Sequence, residues 1–260
     1  MSSTPQGPGS RPGDRSARQA KIDAAAPKPS KAKPILIALV SIVAVLGVVA
    51  AVWFGTRGSQ TDPAAAAPKG ATGATGGIAV TTNAKAGAPT LDVYEDFQCP
   101  ACMQAEAAVG PTIRKMAADG EAKVVYHMKS FLDANLGNDS STRAALAASC
   151  SADAGRFQQF HDAVFAANTP EGQGYTDAQL ETFATQSGVT GDALNTWKSC
   201  YSTKKYADYV KGVEETTAKA GVTGTPTFRV NGKDMDLSKV NDAAGFRAAV
   251  LAGGAASPTS

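Results

Sequence analysis

The chain has 260 residues, 43% hydrophobic and 18% charged, which fits one or two globular domains and excludes a wholly disordered protein. Its two histidines argue against a His-rich metal site. The net charge of +2 hides an asymmetry: residues 1–33 carry seven Lys/Arg against two Asp, whereas residues 89–260 carry fifteen Lys/Arg against twenty Asp/Glu. A basic nucleic-acid-binding domain is therefore not supported.

Residues 1–33 are rich in Pro, Ser, Gly, Ala and basic side chains and nearly free of large apolar ones. They read as a disordered cytoplasmic tail, because such a stretch buries too little surface to offset the entropy of ordering it. Residues 34–54 then run without a charge. At a rise of about 1.5 Å per residue they span the roughly 30 Å hydrocarbon core of a bilayer. Lys28, Lys31 and Lys33 precede the run and Trp53 stands at its far end. That asymmetry predicts a single-pass membrane anchor with its N-terminus in the cytoplasm and the rest of the chain outside the cytoplasm. A cleaved signal peptide has a shorter apolar core and a small-residue cleavage site, unlike this run. Residues 55–74 read as a flexible Ala/Gly/Thr/Pro linker, and residues 75–260 as the folded domain.

Within that domain, residues 78–80 are offered as an edge strand, residues 90–97 as a strand and residues 103–118 as a helix. Residues 122–128 make a further strand. Phe157, Phe160, His161, Val164 and Phe165 share one helical face, as do Tyr206, Tyr209, Val210 and Val213. Thr176 and Gln179 have the spacing of a capping box. Residues 227–230 precede Asn231-Gly232, the signature of a tight hairpin. A helix over residues 242–252 closes the chain.

The chemistry concentrates at Cys99-Pro100-Ala101-Cys102, where a strand runs into a helix. There the first sulfur lies beside the free N–H groups of the helix N-terminus, which favour a thiolate. Pro100 is tolerated in the first helical turn. Cys99 reads as an exposed nucleophile and Cys102 as the buried resolving thiol one turn along. Half a zinc site and an inert structural pair are the alternatives. A zinc ribbon needs a second close ligand pair, and Cys150 and Cys200 are fifty positions apart, so no metal is expected. Met103, Met116 and Met128 read as core filler rather than copper ligands. A second feature is Gly224-Thr225-Pro226-Thr227-Phe228, whose proline opens a strand and is a candidate for a cis peptide bond.

The strand–CPxC–helix start and the Gly-Thr-Pro-Thr-Phe run before a hairpin together resemble the DsbA-like thiol–disulfide oxidoreductases of the thioredoxin-fold superfamily. The resemblance covers roughly residues 75–255 and implies an α/β thioredoxin fold. A helical insertion over about residues 133–220 interrupts it, and one transmembrane helix precedes it. It implies that Thr225 and Pro226 form a loop against the redox pair and bind extended substrates by strand addition. It implies disulfide formation in unfolded or reduced exported proteins, with reoxidation by a quinone-linked membrane partner of the DsbB or vitamin-K-epoxide-reductase-like type. No soluble cofactor and no dimerisation domain are implied, so a monomer is expected.

Two departures from the family stand out. Ala101 occupies the position of a histidine donor in strongly oxidising relatives, which predicts a less oxidising potential. Val93 occupies the position of the family's buried acid, while Glu95 and Asp96 read as surface residues. Outside the cytoplasm an even cysteine count favours a Cys150–Cys200 disulfide, with two buried free thiols as the alternative. His161 reads as a packed residue, and His127 has no assigned role. A reductase or isomerase of the same fold, and a non-catalytic peptide-binding module, remain the alternative functions.

Overall fold

The computed structural model describes residues 66–240 and 242–254. The expected tail, the anchor over residues 34–54 and the first part of the linker lie outside the described residues. Among the described residues no helix is long and apolar enough to cross a membrane. Residues 66–74, expected within the flexible linker, are held to the domain. Lys69 N–H donates to Asp153 Oδ1 at 3.1 Å, and Ala71 bridges Ile78. Composition hides such backbone pairing.

The centre is a five-stranded mixed sheet. Its strands are β1 (Ile78–Ala79), β2 (Thr90–Glu95), β3 (Lys123–Met128), β4 (Thr227–Val230) and β5 (Lys233–Asp234), in the spatial order β1-β3-β2-β4-β5. β2 and β3 run parallel, which demands a crossover, and α1 (Pro100–Ala118) supplies it. The other pairings are antiparallel. Leu91 and Val93 alternate onto the same buried face of β2, and Glu95 follows them there. Asn231 and Gly232, at φ of 51° and 78°, make the tight β4–β5 turn. Gly77 is required for space rather than for φ, because a Cβ there would meet the Tyr126 carbonyl at 2.6 Å.

Between β3 and β4 lies the helical insertion: α2 (Leu132–Leu136), α3 (Ser140–Asp153), α4 (Phe157–Ala166), α5 (Asp177–Gln186), α6 (Asp192–Ser202) and α7 (Ala207–Lys219). Its amphipathic stripes turn inward. Phe157, Phe160, His161, Val164 and Phe165 are all buried on α4, and Tyr209, Val210 and Val213 on α7. Burying each large apolar side chain contributes about 1.5–3 kcal/mol. Thr176 and Gln179 form a reciprocal capping box that starts α5. The closing helix α8 (Ala243–Gly254) packs on α1 and β4, with Phe246 edge-on to Phe228 at 5.2 Å.

Candidate redox site

The strand β2 stops at Glu95, and Asp96–Gln98 turn the chain so that Cys99 caps α1. The turn is closed by Cys99 N–H donating to the Asp96 carbonyl at 2.9 Å. Pro100 then takes the first helical position, three residues before the expected helix start. Both thiols are free. Cys102 is fully buried, and Cys99, expected at the surface, is only 7% exposed. Its cover comes from far along the chain: in the thiol form Cys99 Sγ donates to the Thr225 carbonyl at 3.4 Å. The Thr225–Pro226 peptide is cis. The Thr225 hydroxyl is buried and makes no hydrogen bond of its own.

The two sulfurs differ sharply in proton affinity. Hydrogen bonding with Cys102 pulls the Cys99 thiol down to a pKa of about 6. Burial opposes this, and the backbone N–H groups of Cys102 and Ala101 assist it. Burial, the bond to Cys99 and the nearby charge of Glu95 hold Cys102 far above the ordinary thiol range. At neutral pH one sulfur is a thiolate and the other a thiol. That is the arrangement of an attacking or departing sulfur beside a protonated partner.

Beside Cys102 lies a buried polar cluster that reverses two expectations. Glu95 and Asp96, read from the sequence as surface residues, are both 0% exposed. Strand alternation carries Glu95 onto the core face, where His161 Nε2 lies 2.9 Å from its Oε2. Glu106, one turn beyond Cys102 on the buried face of α1, joins them and meets Arg114 at 3.4 Å. Gly110 leaves room for the Glu106 carboxylate. Arg114 also reaches Asp162 at 3.1 Å and is partly exposed, so the cluster has a charged edge toward solvent.

Burial and the Glu95 charge raise Glu106 to a pKa of about 7. Burial works against a charged His161, but bonding to Asp162 and Glu95 outweighs it and raises its pKa to about 10. One oxygen each of Glu95 and Glu106, and the Tyr126 hydroxyl, are buried without a hydrogen-bond partner. One atom from each of Glu95, Glu106 and His161 lies within 4.8 Å of the others, a spacing also seen around metals. The arrangement is suited to holding and exchanging protons. Glu106 was not among the residues the sequence singled out, although its i+4 spacing from Cys102 places it on the same helical face.

The other sulfur pair lies apart from this site. Cys150 and Cys200 form a disulfide of 2.05 Å between α3 and α6. Each sits in the last turn of its helix. His127 bonds Asp92 at 2.9 Å and stacks on Tyr94, using β2 positions that alternate away from Glu95.

Residues 81–250 match the family model described as Thioredoxin. No curated protein matches the chain. Among solved structures, reduced DsbA from Mycobacterium tuberculosis is 30% identical, with 68% of this chain and 98% of that chain covered and a TM-score of 0.53. The reduced disulfide bond oxidoreductase DsbG from the same organism is also 30% identical, covering 69% and 95%, at a TM-score of 0.52. MdbA, a thiol-disulfide oxidoreductase from Corynebacterium diphtheriae, shares the fold at 20% identity, covering 74% and 96%, with a TM-score of 0.57. The fold is a mixed α/β, thioredoxin-like one. The chain belongs to the thioredoxin family, as a DsbA-like protein-disulfide oxidoreductase.

Proposed function

We propose that the chain works outside the cytoplasm, tethered by residues 34–54, and introduces disulfides into reduced exported proteins through Cys99 and Cys102. The observation that carries this reading is the contrast between the two thiols, Cys99 at a pKa of about 6 and Cys102 far above the ordinary range. A stabilised Cys99 thiolate favours the reduced enzyme, and an enzyme whose reduced form is stabilised is an oxidant.

In the forward step a substrate thiolate attacks Cys99 Sγ of the Cys99–Cys102 disulfide. The S–S bond breaks, its electron pair passes to Cys102 Sγ, and a substrate–Cys99 mixed disulfide forms. The buried Cys102 sulfur takes up a proton, for which the Glu95–Glu106–His161 cluster is the adjacent source. A second substrate thiolate attacks the substrate sulfur of the mixed disulfide, and Cys99 departs as the low-pKa leaving group. Thr225 and Pro226, over the Cys99 sulfur, offer backbone to an extended substrate. The family resemblance assigns reoxidation to a quinone-linked membrane protein of the DsbB or vitamin-K-epoxide-reductase-like type.

Ala101, where strong oxidants carry a donor, keeps a reductase or isomerase as the second reading. The test mixes oxidised full-length protein in detergent with a reduced, unfolded disulfide protein. Recovery of native disulfides, absent in Cys99→Ala, supports the oxidase. Activity only as a catalyst of disulfide reduction overturns it. Labelling of the reduced thiols in intact cells by a membrane-impermeant alkylating reagent supports the extracytoplasmic placement, and protection from it contradicts that placement.

A further inference from the structure

The three residues that lead into Cys99 are each bonded to the helical insertion. Asp96 accepts from Ser141 Oγ of α3 at 2.5 Å and from Leu132 N–H at the start of α2 at 3.2 Å. The Phe97 carbonyl accepts from the Tyr175 hydroxyl at 2.7 Å. Gln98 Nε2 donates toward Ser141 Oγ at 2.8 Å and toward Asn138 and Asp133, and its Oε1 accepts from Asn138 Nδ2. Ser141 is the centre of this arrangement, accepting from Gln98 and donating to Asp96 with the same hydroxyl. Its own N–H donates to Asp133 at 2.7 Å. Asp96, Gln98 and Ser141 are almost completely inaccessible.

A three-residue turn does not need this many partners from another part of the chain. Water would satisfy the same groups at a surface, and buried polar groups are otherwise disfavoured. The consequence of the bonds is geometric. Asp96 also holds the turn from within, accepting from Gln98 N–H with its side chain and from Cys99 N–H with its carbonyl. Cys99 thereby keeps φ −81° and ψ 117°, the extended backbone from which its sulfur faces the first N–H groups of α1. A shift of α3 against the sheet would pull the turn and turn the sulfur away from those donors.

We propose that the helical insertion sets the reactivity of Cys99 through this grip, with Asp96 as the positioning residue and Ser141 as the insertion's hold on it. The proposal rests on the reading of Cys99 as the nucleophile, and it extends that reading to residues that touch neither substrate nor sulfur. The insertion is then part of the redox site as well as a cover for it.

The experiment is the pH profile of Cys99 alkylation in the reduced full-length protein, with the modified cysteine assigned by mass spectrometry. Wild type is expected to show Cys99 reacting first, with a midpoint near pH 6. Ser141→Ala moves the midpoint up, so the rate at pH 6 falls by about threefold or more while the plateau at high pH is kept. Asp96, whose own carboxyl is raised by burial to a pKa of about 7, is left in place so that no charge beside Cys99 is lost with the bond. Ser141→Thr keeps the hydroxyl and the wild-type profile. Ser149→Ala is the control, since it removes a buried hydroxyl bond to Ala145 on the same helix without touching the turn. The proposal is overturned if Ser141→Ala lowers thermal stability but leaves the midpoint in place, or if Ser149→Ala moves it equally. If Ser141→Ala fails to fold, Tyr175→Phe, which removes the insertion's bond to the Phe97 carbonyl, is read in its place. A wild-type Cys99 with an ordinary thiol midpoint would instead sink the reading of Cys99 as the nucleophile.

Discussion

The molecule holds two cysteine pairs whose surroundings could hardly differ more. Cys99 and Cys102 meet where a strand becomes a helix, beneath a loop contributed from residue 225, with free helix N–H groups on one side and buried acids on the other. Cys150 and Cys200 join the last turns of two packed helices, at the carbonyl ends, where no free helix N–H groups stand beside either sulfur. The same side chain is thus a free thiol, reactive in the function proposed, in one setting and a cross-link in the other. Position relative to a helix terminus, more than burial, separates them, because all four sulfurs are largely enclosed.

The comparison predicts opposite consequences for removing each pair. Cys99→Ser should reduce thiol oxidation of a reduced substrate to background, with the folded state kept, as read by turnover and circular dichroism. The double change Cys150→Ala with Cys200→Ala should leave that turnover near wild type. It should lower unfolding free energy by about 4 kcal/mol, the chain-entropy value for a loop of some fifty residues, in a denaturant titration. Ala101→His adds a donor toward the Cys99 thiolate. It should shift the glutathione equilibrium about tenfold toward the reduced enzyme, roughly 30 mV more oxidising, without altering the second pair.

The smallest effect concerns the proton cluster. The folded pKa of Glu106 is raised to about 7, so the protonated form is the one favoured by folding. Its contribution to stability is full below the unfolded carboxyl value of about 4.3 and is lost as pH rises through about 7. Glu106→Gln should therefore flatten the decline in the stability of the reduced protein over that window. A decline as steep as that of wild type would show that Glu106 is ionised throughout.

Much of this was legible from short-range pattern. The CPxC run, the capping box at Thr176, the Asn-Gly turn and the inward face of α4 all depend on residues within a few positions of one another. The burial of Glu95 was also within reach, since it continues the alternation of Leu91 and Val93; the usual preference of carboxylates for water masked it. Asp96 lies beyond the strand, where no period applies, and its partners Ser141 and Leu132 come from more than thirty residues away. The cover over Cys99 is likewise invisible locally, because Thr225 is 126 positions distant. The bonding of residues 66–74 to the domain escaped composition because it runs largely through backbone groups.

The most direct measurement is one redox titration of the full-length protein against glutathione and dithiothreitol, with both cysteine pairs read in the same samples by differential alkylation and mass spectrometry. Cys99–Cys102 should titrate between about −120 and −180 mV, while Cys150–Cys200 stays oxidised to below about −300 mV. A Cys99–Cys102 value near −270 mV, that of a reductase, or a second pair that opens at the higher potential, would contradict that expectation.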